Sequence, residues 1–317
     1  MAKIECQGEA LKKLTDSLYF FGGATNVGVA AQKDSDSFTQ LYFIDAGEDA
    51  EAAQKLWAEC ERVFGKIKAK ALICTHSNAD HIGGAAWLKQ KQGCEVWATQ
   101  SEKSCAETPE IQAYGFYGAR PLPELDIPYF HAPQVFVDKI IAAGQKIKCG
   151  QIEFEFVELP GHSFGMIGIL AAGADGKKAF YAGDGIFGRE MLKRYWTPYV
   201  ADIKAFKESI GRIAKIKADY IVPSHGEVCD DAETLAELNL LSTMSNEKFV
   251  EEILREPKTH EELLKIFCDK SEINMKPSQY MLIGSSLRSY LTYLYEEGRV
   301  RWYFEDNRMF WAATRAE

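Results

Sequence analysis

Four short segments carry the residues whose types and spacing could do chemistry. They read THSNADHIGG (Thr75–Gly84), LPGHSFG (Leu159–Gly165), AGDGIF (Ala182–Phe187) and PSHGE (Pro223–Glu227). Four of the six histidines fall in them, and each segment sets a His or Asp after an apolar run and beside Gly or Pro. That is the grammar of a loop leaving a buried strand, where a rigid sheet can hold side chains toward one point. Together the segments offer His76, Asp80, His81, His162, Asp184 and His225. Imidazoles and carboxylates converging from four loop ends suit a transition metal such as Zn2+, Fe2+ or Mn2+. One histidine after a strand is usually a hydrogen-bonded structural residue, and one Gly-Asp-Gly is usually a turn. Four such segments in one chain are hard to attribute to turns. Neither SHG nor GHS has the GxSxG frame of a nucleophile elbow, so a serine nucleophile is not expected.

The elements that must position these residues are legible from hydropathy patterns. Runs rich in β-branched and aromatic residues predict strands at Ser17–Gly22, Thr25–Ala31 and Gln40–Asp45. A helix is predicted over Ala50–Val63, with Leu56, Trp57, Cys60, Val63 and Phe64 on one face. Ala69–Thr75 is a continuous apolar run, as in a strand buried on both faces, and is followed by a helix over Ile82–Gln92 and a strand over Cys94–Ala98. Further strands are expected at Ile152–Leu159, Met166–Ala171, Lys178–Ala182 and Tyr220–Pro223, with a helix over Ile203–Lys215.

From about Glu107 to Asp138 no period is visible among prolines and aromatics, and a stretch of this kind is expected to form a lid-like excursion. Tyr117, Arg120 and His131 within it, and Arg189, Lys193 and Tyr195 just after Asp184, are the candidate substrate contacts. Cationic groups there would favour a carboxylate or phosphate on the substrate.

The chain has 317 residues, 46% hydrophobic and 26% charged, with 37 basic against 46 acidic side chains and a net charge of −9. These proportions are those of a soluble globular protein and exclude a disordered tail, a collagen-like fibre or a low-complexity array. The acidic balance argues against nucleic acid or an anionic membrane bound by bulk charge. No uncharged apolar run approaches the ~18 residues needed to span a bilayer, and Met1–Lys13 lacks the apolar core of a signal peptide. The eight cysteines are dispersed without a CxxC pair, which reads as reduced, mostly buried thiols of a cytoplasmic protein.

The four segments, in this order, resemble the metallo-β-lactamase superfamily of hydrolases, over about Leu14 to Glu227. In that family the first loop reads His-x-His-x-Asp-His, and later single His, Asp and His residues complete a two-metal centre. The resemblance implies an α/β fold, a four-layer αββα sandwich with the metals at one edge between two sheets. It implies that His76 and His162 bind metal 1, that Asp80, His81 and His225 bind metal 2, and that Asp184 bridges them. The sequence departs from the pattern at Asn78, which stands where the second His is expected. An amide oxygen is neutral and a harder ligand than imidazole, so the metal 1 site should be the weaker. One or two divalent ions, Zn2+ foremost with Fe or Mn as alternatives, are therefore expected. A water bound to such an ion has its pKa lowered from 15.7 toward ~7. That supplies hydroxide to attack an ester, thioester, lactone or phosphoester of a small soluble substrate, with Asp80 and Asp184 as the catalytic carboxylates. The flavodiiron branch of the superfamily is similar in having a non-histidine at the Asn78 position, so an iron-dependent redox enzyme on the same fold is the alternative.

Beyond residue 230 the composition turns helical, which places a catalytic domain over 1–230 and a second domain over 231–317. Helices are predicted at Ala232–Ser242, Glu247–Arg255, Thr259–Asp269 and Ser278–Glu297, the third started by a Thr259–Glu262 capping box. His260, just past that cap, is expected to be exposed. A hairpin around Asp306-Asn307 closes the chain. Helices followed by a hairpin are the order of a winged helix. Residues 247–317 nevertheless carry 11 basic against 13 acidic side chains, and Gln279–Glu297 contains one basic residue, Arg288. Such a helix suits packing better than phosphates, so the module is expected to cap the catalytic domain or to form a homodimer.

Overall fold

The computed structural model describes residues 10–34, 37–125, 127, 129–194 and 197–314. Two sheets face each other. The first runs in the order β1 (Leu11–Lys13), β2 (Leu18–Phe21), β3 (Val27–Lys33), β4 (Thr39–Ile44), β5 (Ile67–Ile73), β6 (Glu95–Ala98) and β7 (Lys139–Ile140). It is antiparallel from β1 to β4 and parallel from β4 to β7. The second sheet comprises β8 (Lys146–Cys149), β9 (Ile152–Glu158), β10 (Ile167–Ala172), β11 (Lys178–Gly183) and β12 (Tyr220–Pro223), in the order β12-β11-β10-β9-β8.

Strand alternation sorts the side chains into layers, because successive residues of a strand face opposite sides. Tyr42 and Ile44 of β4 join Phe20, Ile73, Phe154, Phe156, Ile169 and Tyr181 in the cluster between the sheets. Leu41 and Phe43 of the same strand face outward. There they meet Leu56 and Cys60 of α1 (Ala50–Phe64) and Leu88 of α3 (Ala85–Gln92). The outer face of the second sheet, through Phe180 and Ala182, packs on Phe206 and Ile210 of α7 (Ile203–Ile213). Helix, sheet, sheet and helix thus form the expected four-layer αββα sandwich.

Strands β4 and β5 are parallel, as are β11 and β12, and β9 runs the same way as β11 because β10 is antiparallel to both. The C-terminal ends of these five strands therefore gather at one edge of the sandwich. The segments that leave β5, β9, β11 and β12 hold all six candidate ligands of the four motifs.

Several elements differ from expectation. The helix expected over Ile82–Gln92 is split into α2 (Ala79–Ile82) and α3 at Gly83-Gly84. A Cβ on Gly83 would lie 1.9 Å from the Glu48 carbonyl oxygen, so the chain needs glycine where these loops cross. The stretch 107–138 is less irregular than its composition: α4 (Gln100–Glu107) runs up to it and α5 (Glu110–Tyr117) lies within it. Short helices with little amphipathic period leave no sequence signal. The short helix α6 (Arg189–Arg194) was not expected either.

The two helices expected at 232–242 and 247–255 are one, α8 (Ala232–Ile253), continuous through Thr243-Met244-Ser245-Asn246. Polar residues there read as a break, but the Thr243 hydroxyl donates to the Asn239 carbonyl (3.0 Å) inside the helix. Helices α9 (His260–Lys270) and α10 (Pro277–Glu296) and the hairpin β13 (Val300–Glu305)–β14 (Arg308–Ala313) follow, with the Thr259–Glu262 capping box formed. Asp306 and Asn307 turn the hairpin with φ of 47° and 58°. His260 is half-buried rather than exposed, because its Nε2 meets the Gly284 carbonyl of α10 at 2.9 Å. Leu235, Val250, Phe267, Leu287 and Tyr290 of the C-terminal helices share one apolar cluster with Phe180 and Phe206. Among the described cysteines all are free thiols, five buried and two half-buried; Cys6 lies outside the described residues. No helix among the described residues is long and apolar enough to cross a membrane.

Candidate metal centre

His76, Asp80, His81, His162, Asp184 and His225 meet at the sandwich edge. Their donor atoms fall into two groups, His76–His162–Asp184 and Asp80–His81–His225, each with its atoms within 4.8 Å of one another. Asp184 faces both groups. Its Oδ1 lies 3.3 Å from His81 Nε2 and 3.5 Å from His225 Nε2, and its Oδ2 lies 3.5 Å from His162 Nε2. Asp80 Oδ2 is 3.2 Å from His225 Nε2.

All four imidazoles are held from behind by Nδ1. His76 Nδ1 meets Thr75 Oγ1 (3.0 Å), His81 Nδ1 meets Asp45 Oδ2 (2.9 Å), His162 Nδ1 meets the Tyr199 carbonyl (2.9 Å), and His225 Nδ1 meets the Ala24 carbonyl (3.0 Å). In the neutral ring an oxygen acceptor at Nδ1 fixes the tautomer in which Nε2 carries a lone pair, the arrangement that supports metal-ligating histidines. Every Nε2 then points inward. His76 Nε2, His81 Nε2 and Asp184 Oδ1 are buried with no hydrogen-bond partner. Buried polar atoms are almost always satisfied, and three orphans facing one space fit a cation that several of them would share.

Asp45 organises this shell. It follows β4 with a φ of 64°, and its Oδ1 accepts the Thr75 N–H (2.8 Å) while its Oδ2 accepts the Thr75 hydroxyl (2.7 Å). It therefore orients His81 directly and His76 through Thr75. Asn26 does the same for the last loop: its amide nitrogen donates to the carbonyls of Pro223 (2.9 Å) and Gly226 (2.8 Å). Gly161, at φ 132°, lies so close to Phe206 that an added Cβ would fall 2.4 Å from its backbone, which is why glycine precedes His162.

Electrostatically the groups divide. Burial, reinforced by His81 and His162, pushes His76 well below the ordinary imidazole range. Burial also lowers His162, against the pull of Asp184. Burial would lower His225 as well, but Asp184 and Asp80 outweigh it and raise it to about 9. Asp80 and Asp184 likewise overcome burial at His81 and raise it well above its usual value. Burial would raise both carboxylates, yet the surrounding imidazoles hold Asp80 and Asp184 below the ordinary range.

Residues 39–225 match the family profile described as "Metallo-beta-lactamase superfamily". The chain belongs to this superfamily. Among curated relatives, "Hydroxyacylglutathione hydrolase GloC" of Haemophilus influenzae is 33% identical over 135 residues, covering 41% of this chain and 58% of that protein. "Hydroxyacylglutathione hydrolase" of Bdellovibrio bacteriovorus is 29% identical over 123 residues, covering 39% and 37%. The matches thus span 58% and 37% of the lengths of these two relatives. A solved metallo-beta-lactamase family protein from Thermus thermophilus superposes with a TM-score of 0.73 at 17% identity, covering 95% of this chain and all of that one. A beta-lactamase domain protein from Burkholderia ambifaria gives 0.71 at 15%, covering 96% and 93%. These likenesses are of fold, and their coverage extends into the C-terminal helices.

Against the superfamily motif, Asn78 is the departure, and the structure places its amide nitrogen 2.9 Å from His162 Nε2. Asn78 is the N-cap of α2 but makes no side-chain cap bond; its side chain turns into the site instead. The Tyr199 carbonyl keeps the His162 proton on Nδ1, so Nε2 is an acceptor and the amide must present its NH2.

The described members of the expected substrate-contact set lie on α5, in the stretch beyond it and on α6. Tyr117 closes α5 and is partly exposed, Arg120 is exposed just beyond it, and His131 is half-buried in the excursion. The Arg189 backbone N–H donates to Glu227 Oε1 (3.1 Å) at the start of α6. Lys193 pairs with Glu190 on an exposed face of α6 (2.8 Å). Tyr195 lies outside the described residues.

Sequence reasoning missed Asp45, Asn26, Tyr199 and Glu102. Asp45 had a signal, since FIDAG repeats the strand-then-ligand grammar of the other loops. Tyr199 acts through its carbonyl, which any residue carries.

Proposed function

We propose that the protein is a metal-dependent hydrolase of a small molecule, acting on an ester, thioester, lactone or phosphoester bond, with a thioester as the foremost substrate class. The observation that carries this reading is the pair of facing donor groups with three buried, unpartnered polar atoms between them. The thioester preference is supported by the curated relatives' name, hydroxyacylglutathione hydrolase.

In this reading His76, His162 and Asp184 would hold one ion and Asp80, His81 and His225 the other, with Asp184 facing both groups. Four imidazole nitrogens with carboxylates favour Zn2+. When bound, such ions lower the pKa of water toward ~7 and polarise the scissile carbonyl or phosphoryl group. The chain's own residues do the rest. Asp80 keeps 23% of its side chain exposed, whereas Asp184 keeps 6%. Asp80 is thus the carboxylate that meets solvent and can accept a hydrogen bond from the attacking water. Asp45, Thr75 and the carbonyls of Tyr199 and Ala24 keep every Nε2 directed inward, so the site is organised before substrate arrives.

The test is metal analysis of purified protein, followed by a screen of thioester, lactone, phosphodiester and β-lactam substrates with defined metals. One or two zinc ions per chain, with turnover lost to a chelator and restored by zinc, is the expected result. Stoichiometric iron with oxygen consumption, or hydrolysis indifferent to chelation, overturns it.

A further inference from the structure

The C-terminal helices reach the centre through two clamps. Asn239 of α8 is buried and grips the Phe187 backbone from both sides. Its Oδ1 accepts the Phe187 N–H (2.9 Å) and its amide nitrogen donates to the Phe187 carbonyl (2.9 Å). The Phe187 ring lies between two imidazoles, stacked on His225 at 6.3 Å and tilted against His162 at 6.4 Å.

The second clamp is on α10. Ser286 and Ser289, both buried, accept the backbone N–H groups of Val200 (3.1 Å) and Ile203 (2.9 Å). The Ser286 hydroxyl spends its own proton on the Leu282 carbonyl (3.0 Å), which leaves its lone pairs for Val200. The segment held in this way grips the second motif in turn. The Tyr199 carbonyl accepts from His162 Nδ1 (2.9 Å), and Ala201 and Asp202 donate their N–H groups to the Gly161 carbonyl (2.8 and 2.9 Å). The Tyr199 ring also meets that of His162 edge-on at 5.3 Å.

We propose that Ser286 and Ser289 are positioning residues of the centre: through the 199–203 segment, α10 sets the direction of the His162 lone pair, and with it the affinity of the His76–His162–Asp184 group. This rests on the two-cation reading above. A helix pair that only covered apolar surface would need no polar contact to backbone at these places. Here a buried hydroxyl pair is aimed at the segment whose Tyr199 carbonyl holds His162 Nδ1, whereas the Asn239 clamp on Phe187 meets both imidazoles. Among the described residues the Asp80–His81–His225 group has no such link through α10, so the effect falls on one ion.

The test is the full-length Ser286→Ala/Ser289→Ala double variant, with Ser289→Ala alone as the milder form should the double variant fold poorly. Two readouts are taken. In the metal-free protein, the His162 Nδ1–H proton is followed by NMR for its exchange protection. In a Co2+ titration, stepwise affinities are read from the visible absorption. The expected results are faster exchange at His162 and a loss of about tenfold in the affinity of the weaker ion, with the tighter ion unchanged. An unchanged His162 resonance and unchanged stepwise affinities beside a lower melting temperature overturn the proposal, as does an equal loss at both ions. Failure of wild-type protein to bind a second ion would strike the two-cation reading, while the NMR readout still judges the clamp.

Discussion

Glu102 lies in the first turn of α4 and Ser77 in the loop after β5, yet one carboxylate oxygen of Glu102 accepts both the Ser77 N–H (2.8 Å) and the Ser77 hydroxyl (2.5 Å). The other oxygen accepts the Ser163 hydroxyl and the Gly165 N–H. Ser77 sits between His76 and Asn78, and Ser163 follows His162. One buried carboxylate therefore fixes the spacing between the first and second motifs. Glu102→Gln keeps the size but turns an NH2 group toward donors on one side. Hydrogen bonds to charged groups contribute about 1.5–3 kcal/mol each, so the variant should lose about 2–3 kcal/mol of stability by urea unfolding. It should also bind the His162-side ion more weakly in the same Co2+ titration.

Asn78 yields a prediction that separates two roles for its amide. A ligand would donate through oxygen; the observed contact presents nitrogen to His162 Nε2. A cation entering the His76–His162–Asp184 group must displace that hydrogen bond, which costs about 0.5–1.5 kcal/mol and makes this ion the weaker. Asn78→His should raise its affinity by tenfold or more. Asn78→Ala should leave that affinity unchanged or raise it, and a clear fall in Asn78→Ala would show that Asn78 is a ligand.

How legible the protein is from sequence depends on which part of each residue acts. The strands were readable because their apolar runs are long and β-branched, and the six convergent His and Asp residues because each ends such a run beside glycine. Glu102 was hidden for a different reason. Thr99 with Glu102 three residues on is a capping-box pattern, and Thr99 does accept the Glu102 N–H. The Glu102 side chain, however, leaves its own helix for Ser77 and Ser163, a choice made by tertiary contacts. Tyr199 and Ala24 contribute carbonyls, which leave no trace in residue type. The continuity of α8 through Thr243–Asn246 depends on a hydroxyl folding back on its own helix, which composition alone reads as a break.

Asp184 joins the two donor groups, so its loss should be felt by both. Asp184→Ala should abolish turnover and reduce bound metal below one ion per chain. His81→Ala should abolish turnover and empty the Asp80–His81–His225 group, leaving Asp45 Oδ2 without its imidazole partner. Inductively coupled plasma measurement of metal per chain, with circular dichroism to confirm folding, checks both. Wild-type metal content in Asp184→Ala would break the assignment of that residue.

The same electrostatics predict opposite pH trends for metal-free and metal-loaded protein. In the metal-free site the Asp184 and Asp80 carboxylates, working against burial, raise His225 from 6.5 to about 9 and raise His81 in the same direction. A histidine whose folded pKa is raised contributes stability that is fully present below its unfolded value of 6.5 and is lost as pH climbs through the folded value. The melting temperature of metal-free protein should therefore fall between about pH 6.5 and pH 9. A cation needs the imidazoles deprotonated and must displace those protons. Added zinc should accordingly stabilise the protein more strongly at each step up that interval, and the gap between zinc-loaded and metal-free melting curves should widen with pH. The carboxylates act at the other end. Asp80 and Asp184, held below 3.8 by the imidazoles despite burial, contribute stability above that value, which is lost in acid as they protonate. Metal-free melting temperatures that stay flat from pH 6.5 to 9 would mean that His225 and His81 do not hold protons between the two carboxylates.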